Sequence, residues 1–314
     1  MTTNGTGSSL PLVLGAAAVA AIGGVAVLLF LKKTKKFLSG ERQKIELIDK
    51  ITVSHDTTIF RLGLPSKSMI LGLPIGKHFK LFAPNKKGVE EGQWNKRKDI
   101  EAKFAEIERK YTPTTGDETK GHVDLMIKVY KGGVKPEFPD GGKMSQYLDS
   151  LNVGDTIDIQ GPVGKIEYHG NGKFTNGKVA LQQKKHVGML AGGTGITPML
   201  QIADAILRDP SDPTTVSLLY ANQTEDDILL RSKFEELTQT HPDRFKVWYT
   251  LDRPPKSGWK YSTGFITKDM IAEHLPKPGP DSVVLMCGPP PMIKFACHAN
   301  LDELKWDKSD RLEF

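Results

Sequence analysis

The chain divides into two regions in which hydrophobic residues are spaced differently. From Ile45 to about Gly164, hydrophobic and polar positions mostly alternate, as in KIELIDKITV, TTIFRLGL, HFKLFA, HVDLMIKVY and DTIDIQG. Alternation with a period of two, interrupted by Gly and Pro, predicts the strands of an antiparallel sheet or barrel. Residues 85–110 depart from this pattern. Their many charges and the apolar positions 100, 104 and 107 predict a loop that leads into a solvent-exposed helix.

After a Gly- and Lys-rich link at residues 170–185, the hydrophobic positions form continuous runs. The runs HVGMLAG, TTVSLLYAN, RFKVWYT and SVVLMCG are mostly followed by stretches with helical spacing. Alternation of strand and helix predicts a parallel, doubly wound sheet, which binds ligands at the carboxyl ends of its strands. The predicted architecture is therefore an antiparallel β-barrel domain at residues 45–168, followed by an α/β parallel-sheet domain at residues 185–314.

The N-terminal segment is apolar and uncharged over the 22 residues 10–31, and Lys32, Lys33, Lys35 and Lys36 follow it directly. Such a run is long enough to cross a hydrocarbon core of about 30 Å. We therefore predict a single-pass transmembrane helix within a membrane anchor at residues 1–36, with the lysines and the following domains in the cytosol. A shallow anchor and a cleaved signal peptide are the alternatives, although a signal peptide carries its positive charge before its apolar core.

Composition and charge change this picture little. The protein is 38% hydrophobic and 25% charged, which is typical of a soluble globular protein. Without the four lysines beside the apolar segment the net charge falls from +6 to +2. The pI near 9.0 is thus no sign of nucleic-acid binding. Cys287 and Cys297 suit a reducing compartment and lie too far apart for a disulfide if the predicted helix follows Cys287. No metal site is predicted.

Two loops of the α/β region carry candidate chemistry. In AGGTGITPML, residues 191–200, glycines stand between a strand and a helix, so free N–H groups and the lack of Cβ atoms favour a phosphate site. This motif is neither a P-loop nor a G-x-G-x-x-G fingerprint, and a simple tight turn is the alternative. In LMCGPPPM, residues 285–292, the Cys287 thiol ends a predicted strand where such sheets bind ligands. A buried structural cysteine is the alternative there.

The barrel region carries two further motifs. In RKYTPTT, residues 109–115, Arg109 suits a pyrophosphate, Tyr111 the face of an aromatic ring, and Thr112 a ring heteroatom. Alternation places residues 109 and 111 on one face of a strand. In GGKMSQYLDSL, residues 141–151, a predicted helix start offers backbone N–H groups to a second phosphate oxygen. An exposed hairpin end and a plain helix cap are the alternatives.

These motifs, in this order, closely resemble those of the NADH–cytochrome b5 reductases, within the ferredoxin–NADP reductase-like flavoproteins. The resemblance extends from about Ile45 to Phe314. It is carried by LGLPIGKHF, RKYTPTT, VDLMIKVY, GGKMSQYL, AGGTGITPML, ANQTEDDILL, WYTLDRPP and MCGPPPM. It implies that the barrel binds FAD and the α/β domain binds NADH. It also implies transfer of a hydride to flavin N5, and then of single electrons to cytochrome b5 or a similar haem protein.

The resemblance also implies roles for individual residues. Arg109 and the helix start would hold the FAD pyrophosphate, Tyr111 would stack on the isoalloxazine, and Thr112 would bond near N5. The implied FAD-binding set is Arg109, Lys110, Tyr111, Thr112, Met126, Lys128, Lys143, Met144, Ser145 and Thr197. The implied NAD-binding set is Gly193, Thr194, Gly195, Asp252, Cys287, Gly288, Pro289 and Met292, in which Asp252 disfavours NADPH. The implied catalytic residues are Thr112, His78 and Cys287, with a bond from His78 to Thr112 as a proton path. A core histidine is the alternative for His78.

The sequence differs from the family pattern at two places, and it leaves alternative functions to be tested. Residues 85–108 are an addition of unknown role, because the family's connection here is shorter. Lys110 replaces a small or cyclic residue, so backbone contacts are expected of it. A related reductase for a ferric chelate or a quinone is the alternative enzyme, and a membrane-tethered scaffold with a degenerate flavin fold is the non-enzyme alternative. The membrane is that of the endoplasmic reticulum or the outer membrane of mitochondria.

Overall fold

The structure is a computed structural model that describes Met1 and residues 34–314. The predicted transmembrane segment at residues 10–31 therefore lies outside the described residues. Among the residues that are described, no helix is long and apolar enough to cross a membrane. Residues Lys36–Phe314 form one compact unit.

The first half of this unit is a six-stranded antiparallel sheet in the order β6-β3-β8-β1-β2-β7. Its strands are β1 Gln43–Thr52, β2 Thr57–Gly63, β3 His78–Pro84, β6 Glu106–Tyr111, β7 His122–Lys128 and β8 Thr156–Val163. Alternate side chains from all six strands pack into one apolar cluster. Helix α1, Lys143–Ser150, adds Met144 and Leu148 to that cluster, because residues four apart share a helix face. The strands predicted from the alternating runs are confirmed, and they surround a single core.

The connection between β3 and β6 contains no helix, so the prediction of a helix in residues 85–110 is wrong. It forms a small hairpin from β4, Gln93–Trp94, and β5, Arg97–Lys98. Asn95 and Lys96 turn the hairpin with φ of 50° and 59°, the backbone signs of a type I′ turn. The three apolar positions share no helix face, since residues 100 and 104 are exposed whereas residue 107 is buried in strand β6.

The predicted link at residues 170–185 is also partly structured. Strand β10, Phe174–Asn176, pairs with β9, Ile166–Tyr168, on one side and with β11, Val179–Ala180, on the other in a three-stranded sheet. Phe174 is buried against Tyr168, with ring centroids 4.8 Å apart. The glycine and lysine content of this segment predicted a simple link, but its few apolar residues are enough to anchor it to the rest of the fold.

The second half is a six-stranded parallel sheet in the order β15-β14-β13-β12-β16-β17. Its strands are β12 His186–Gly192, β13 Thr215–Asn222, β14 Phe245–Leu251, β15 Ser262–Thr263, β16 Ser282–Cys287 and β17 Arg311–Glu313. Its helices are α2 Ile196–Arg208, α3 Arg231–Thr240, α4 Lys268–His274 and α5 Ala299–Glu303, the last preceded by a π-helical turn at Met292–His298. The chain proceeds from β12 outward to β14 and later returns to β16 on the other side. The switch point, where such sheets bind ligands, therefore lies between β12 and β16.

Candidate active site

Two loops meet at the switch point of the parallel sheet. Ala191 at the end of β12 pairs with Cys287 at the end of β16. A Cβ atom on Gly195 would lie 2.9 Å from the backbone nitrogen of Gly288, and one on Gly192 would lie 2.9 Å from Cδ of Pro289. The close approach of the two loops therefore requires glycine at both positions.

The glycine loop is held in place by its neighbours in the sheet and in α2. Gly193 has a left-handed φ of 53°, and its carbonyl accepts a hydrogen bond of 2.9 Å from the Tyr220 hydroxyl. The buried Thr197 hydroxyl donates to the carbonyl of Thr194 at 3.3 Å. Residues Gly193–Gly195 form one 3-10 turn that runs into α2, which confirms the predicted turn from strand to helix. The loop is thus a fixed backbone surface at the carboxyl edge of the sheet.

Both cysteines are free thiols, as predicted. Burial raises the pKa of the Cys287 thiol to about 11, and Glu313 adds to that rise. Cys297 is buried behind the sheet, where burial raises its pKa to about 12. Cys287 is therefore neutral at pH 7 and presents a polarizable thiol, rather than a nucleophilic thiolate, to the switch point.

The loop after β14 lies beside the end of β13. The backbone N–H of Asp252 donates to the carbonyl of Asn222 at 3.1 Å, and Arg253 donates to the side chain of Gln223 at 3.1 Å. The Asp252 carboxylate is exposed. Partial burial nevertheless raises its pKa, against the opposing effect of Arg253. Asn222 was not singled out in the sequence, although it ends a predicted strand. Its buried amide has no hydrogen-bond partner among the described residues.

The start of α1 offers an uncapped set of backbone donors. Its N-cap residue is Gly142, which has no side chain to cap the helix. Within the described residues, the N–H groups of Lys143, Met144 and Ser145 have no acceptor. Ser145 Oγ instead accepts from the backbone N–H of Tyr130 at 3.1 Å. Three free donors at the positive end of a helix dipole form a site that suits an anion.

Strand β6 brings an arginine and a tyrosine to the same sheet face. Exposed positions alternate with buried or half-buried ones along β6. Arg109 and Tyr111 are half-buried and share a face, while Lys110 between them is exposed. That prediction is confirmed. Tyr111 packs against the barrel core, and burial raises its pKa. The Arg109 guanidinium donates to both carboxylate oxygens of Glu101, at 2.7 and 2.8 Å, and this hydrogen bonding raises the pKa of Arg109.

The side chain of Lys143 points into the connection between β3 and β6, residues 85–105, which we call the additional segment. Its ammonium lies 2.7 Å from Asp99 Oδ2, 2.9 Å from Asn85 Oδ1 and 3.5 Å from Glu101 Oε2. Sequence reasoning missed Asp99 and Glu101, because both lie in a segment to which no role could be assigned.

His78 is a buried histidine in strand β3 beside the β6 edge. Its Nε2 atom has no hydrogen-bond partner among the described residues, and no hydrogen bond joins it to Thr112. Burial, helped by the nearby charges of Lys110, Lys77 and Lys80, lowers the pKa of His78 to about 4. His78 is therefore neutral at pH 7.

Met126 and Lys128 lie where β7 faces the parallel sheet. Met126 is buried in the apolar cluster of that sheet. The Lys128 ammonium lies 3.0 Å from Asp56 Oδ2 and 2.6 Å from Asp227 Oδ1. Potential ligand atoms of His55, Asp56 and Asp227 lie within 4.8 Å of one another, but Lys128 already supplies the positive charge there. Lys128 therefore connects the two halves of the unit.

Comparisons with known proteins agree with this geometry. Residues 189–298 match the oxidoreductase NAD-binding domain, and residues 44–94 and 96–168 match the oxidoreductase FAD-binding domain. The chain is 51% identical to NADH-cytochrome b5 reductase 2 of Xenopus laevis over 312 residues, 95% of this chain and 99% of that protein. It is 52% identical to NADH-cytochrome b5 reductase 1 of Homo sapiens over 279 residues, 87% of this chain and 86% of that protein.

A solved structure shares the fold. The cytochrome b5 reductase domain of Ulva prolifera nitrate reductase matches with a TM-score of 0.79 at 47% identity, over 89% of this chain and 100% of that domain. This chain belongs to the NADH–cytochrome b5 reductase family. It is an oxidoreductase that uses FAD and NADH, as the motifs predicted. The antiparallel sheet is its FAD-binding domain and the parallel sheet its NAD-binding domain.

The residues of this reductase fit both cofactors. Free N–H groups at the start of α1 and the Arg109 guanidinium suit the pyrophosphate of FAD, and Tyr111 offers an aromatic face on the same strand. The unpartnered amide of Asn222 and the glycine loop lie at the carboxyl edge of the parallel sheet, where a dinucleotide is expected.

Proposed function

We propose that this reductase transfers electrons from NADH through FAD to cytochrome b5 or a similar haem protein at a membrane surface. The main support for the proposal is the contact between the Gly192–Gly195 loop and the Cys287–Gly288 loop at the switch point. A second support is the candidate anion site on the FAD-binding domain. Bound FAD supplies the redox chemistry, because it accepts two electrons as a hydride and releases them singly.

The flavin side of the site is assigned to residues of the barrel. Arg109 and the N–H groups of Lys143, Met144 and Ser145 hold the pyrophosphate, and Tyr111 orients the ring system. His78 and Thr112 serve proton transfer at the ring. The support for His78 is its buried Nε2 atom, which has no partner within the described chain and is neutral at pH 7.

The nicotinamide side is assigned to the two switch-point loops. The backbone of Gly193, Thr194 and Gly195 forms its floor, and Thr197 reaches the flavin from this domain. Further contacts come from the second loop, at Cys287, Gly288, Pro289 and Met292. Orientation of the two rings in contact is the main catalytic contribution of these residues, because holding reactants in place removes much of the barrier.

The acceptor is tested by comparing turnover with different oxidants at one NADH concentration. We expect kcat/KM with ferric cytochrome b5 to exceed that with a ferric chelate or a quinone by at least about tenfold, which corresponds to about 1.4 kcal/mol. A higher kcat/KM with the chelate or the quinone would identify a related reductase with that acceptor instead.

We further propose that residues 1–36 anchor the reductase in the membrane of the endoplasmic reticulum or the outer mitochondrial membrane. The support is the uncharged run of 22 residues followed by lysines. A tether on the same membrane as an anchored acceptor raises their effective concentration.

Deletion of residues 1–36 is expected to give a protein that purifies without detergent and keeps its FAD. Among the described residues the buried core begins at Phe37 and Leu38, whose N–H groups donate to the carbonyls of Ile70 and Leu71 at 3.0 Å. The described residues that the deletion removes, Met1 and residues 34–36, are all exposed. Ferricyanide reduction by NADH, measured on the full chain and the shortened chain, should agree within about twofold. Loss of FAD from the shortened chain, or its continued sedimentation with membranes, would contradict this.

A further inference from the structure

The additional segment, residues 85–105, is docked on the start of α1. The indole N–H of Trp94 donates to the carbonyl of Gly141 at 2.9 Å, and Asn95 Oδ1 accepts from the N–H groups of Asp140 and Gly141 at 2.9 and 3.1 Å. The Asp140 carboxylate in turn accepts from the N–H of Val89 at 2.6 Å. The additional segment therefore contacts the same loop that presents the free N–H groups of α1.

One carboxylate of this segment lies between the two cations nearest to that helix start. Glu101 accepts two hydrogen bonds from Arg109, and its Oε2 lies 3.5 Å from the Lys143 ammonium. Glu101 thus occupies the position of an anion between strand β6 and α1. A pyrophosphate held by Arg109 would meet this carboxylate as a like charge in the same small region.

The two acidic residues of the segment differ in how firmly they are held. The pair of Asp99 and Lys143 is buried, with side chains 6% and 3% exposed. The pair of Glu101 and Arg109 is more open, with side chains 27% and 40% exposed. Breaking a buried pair is costly, whereas a partly exposed pair contributes little net stability and separates readily. Asp99 therefore anchors the segment, and Glu101 is free to leave Arg109.

We propose that Glu101 is an internal anion that competes with the pyrophosphate of FAD for Arg109, so that the additional segment sets how tightly the cofactor is held. Without FAD, Glu101 neutralises Arg109. When FAD binds, Glu101 gives up its contact with Arg109 while Asp99 keeps the segment docked. This inference rests on the proposed FAD site.

The test compares FAD binding to apoprotein of the full chain and of the Glu101→Gln variant. Glutamine keeps the size of the side chain and removes its charge, so we expect FAD to bind about tenfold more tightly to the variant. Binding is followed by quenching of flavin fluorescence and, independently, by the rise in Tm that FAD produces. That rise should be larger in the variant at the same FAD concentration, because a ligand that binds more tightly stabilises the folded protein more.

The matched control is Glu91→Gln, which removes the same charge from an exposed position of the same segment. Within the described chain Glu91 has no ion-pair partner, so its FAD affinity should equal that of the parent. Equal or weaker FAD binding by the Glu101→Gln variant would overturn the competition and leave the FAD site intact. Failure of the parent and the Glu91→Gln variant to bind FAD would instead overturn the proposed function, and this inference with it.

Discussion

Replacement of Arg109 by alanine is expected to weaken FAD binding by about 100-fold. The change removes a cation assigned to the pyrophosphate and leaves the Glu101 carboxylate without its partner beside the same site. Loss of one member of a buried, hydrogen-bonded charge pair typically costs about 2–5 kcal/mol. Because Arg109 is partly exposed, we expect a cost near the lower end of that range, and about 2.7 kcal/mol corresponds to 100-fold. The measurement is titration of the apoprotein with FAD. The Tyr111→Ala variant should also retain less FAD, through lost ring contact.

Two control variants separate this effect from general damage. Arg42 is also an ion-paired arginine at the same sheet, where it pairs with Glu106 and Asp158, so Arg42→Ala should keep its FAD. Cys287→Ala changes the NAD-binding domain and should keep FAD while slowing flavin reduction by NADH. If Cys287→Ala lost FAD as readily as Arg109→Ala, the assignment of two separate sites would be wrong.

Replacement of Asp252 by alanine is expected to raise kcat/KM with NADPH selectively. The additional phosphate of NADPH would bring nearly two negative charges toward this carboxylate at the carboxyl edge of the parallel sheet. Such repulsion and the lost hydroxyl contact are worth about 2–4 kcal/mol, or roughly 30- to 1,000-fold in preference for NADH. Because the carboxylate is exposed, solvent screening places the expected change near the lower end, at about 30-fold.

The arginine beside Asp252 does not alter this expectation. Arg253 donates to the Gln223 side chain, which directs its guanidinium toward the end of β13. The matched control is Asp243→Ala, an exposed aspartate before the opposite end of β14, which should leave the ratio of NADH to NADPH use unchanged. An unchanged ratio in Asp252→Ala would remove Asp252 from cofactor selection.

The positions of the main strands along the chain and the glycine loop between strand and helix could be predicted from the sequence because their signals are local. Alternation with a period of two follows directly from the geometry of a strand, and continuous apolar runs follow from burial on both faces. The turn of Gly193–Gly195 likewise depends on residues within one short segment. These features required no knowledge of distant contacts.

The contacts that sequence reasoning missed depend on residues far apart in the chain. The helix predicted for residues 85–110 is replaced by a hairpin, because Asn95 reaches across to residues 140 and 141. Lys128 is predicted to contact FAD, and the sequence did not show that Asp56 and, from the other half, Asp227 hold its ammonium. The charge of a lysine and its position in the sequence do not identify its ion-pair partners, because the chain has many carboxylates that could pair with it.

Electron transfer from NADH through FAD to the haem protein is tested by anaerobic mixing of the purified full chain with NADH, followed by addition of ferric cytochrome b5. We expect NADH to bleach the absorbance of a tightly bound flavin. We also expect two molecules of cytochrome b5 per flavin to restore that absorbance as their haems become reduced. A protein that purifies without flavin and acquires none on addition of FAD would rule out this electron transfer. So would a reduced flavin that ferric cytochrome b5 does not reoxidise.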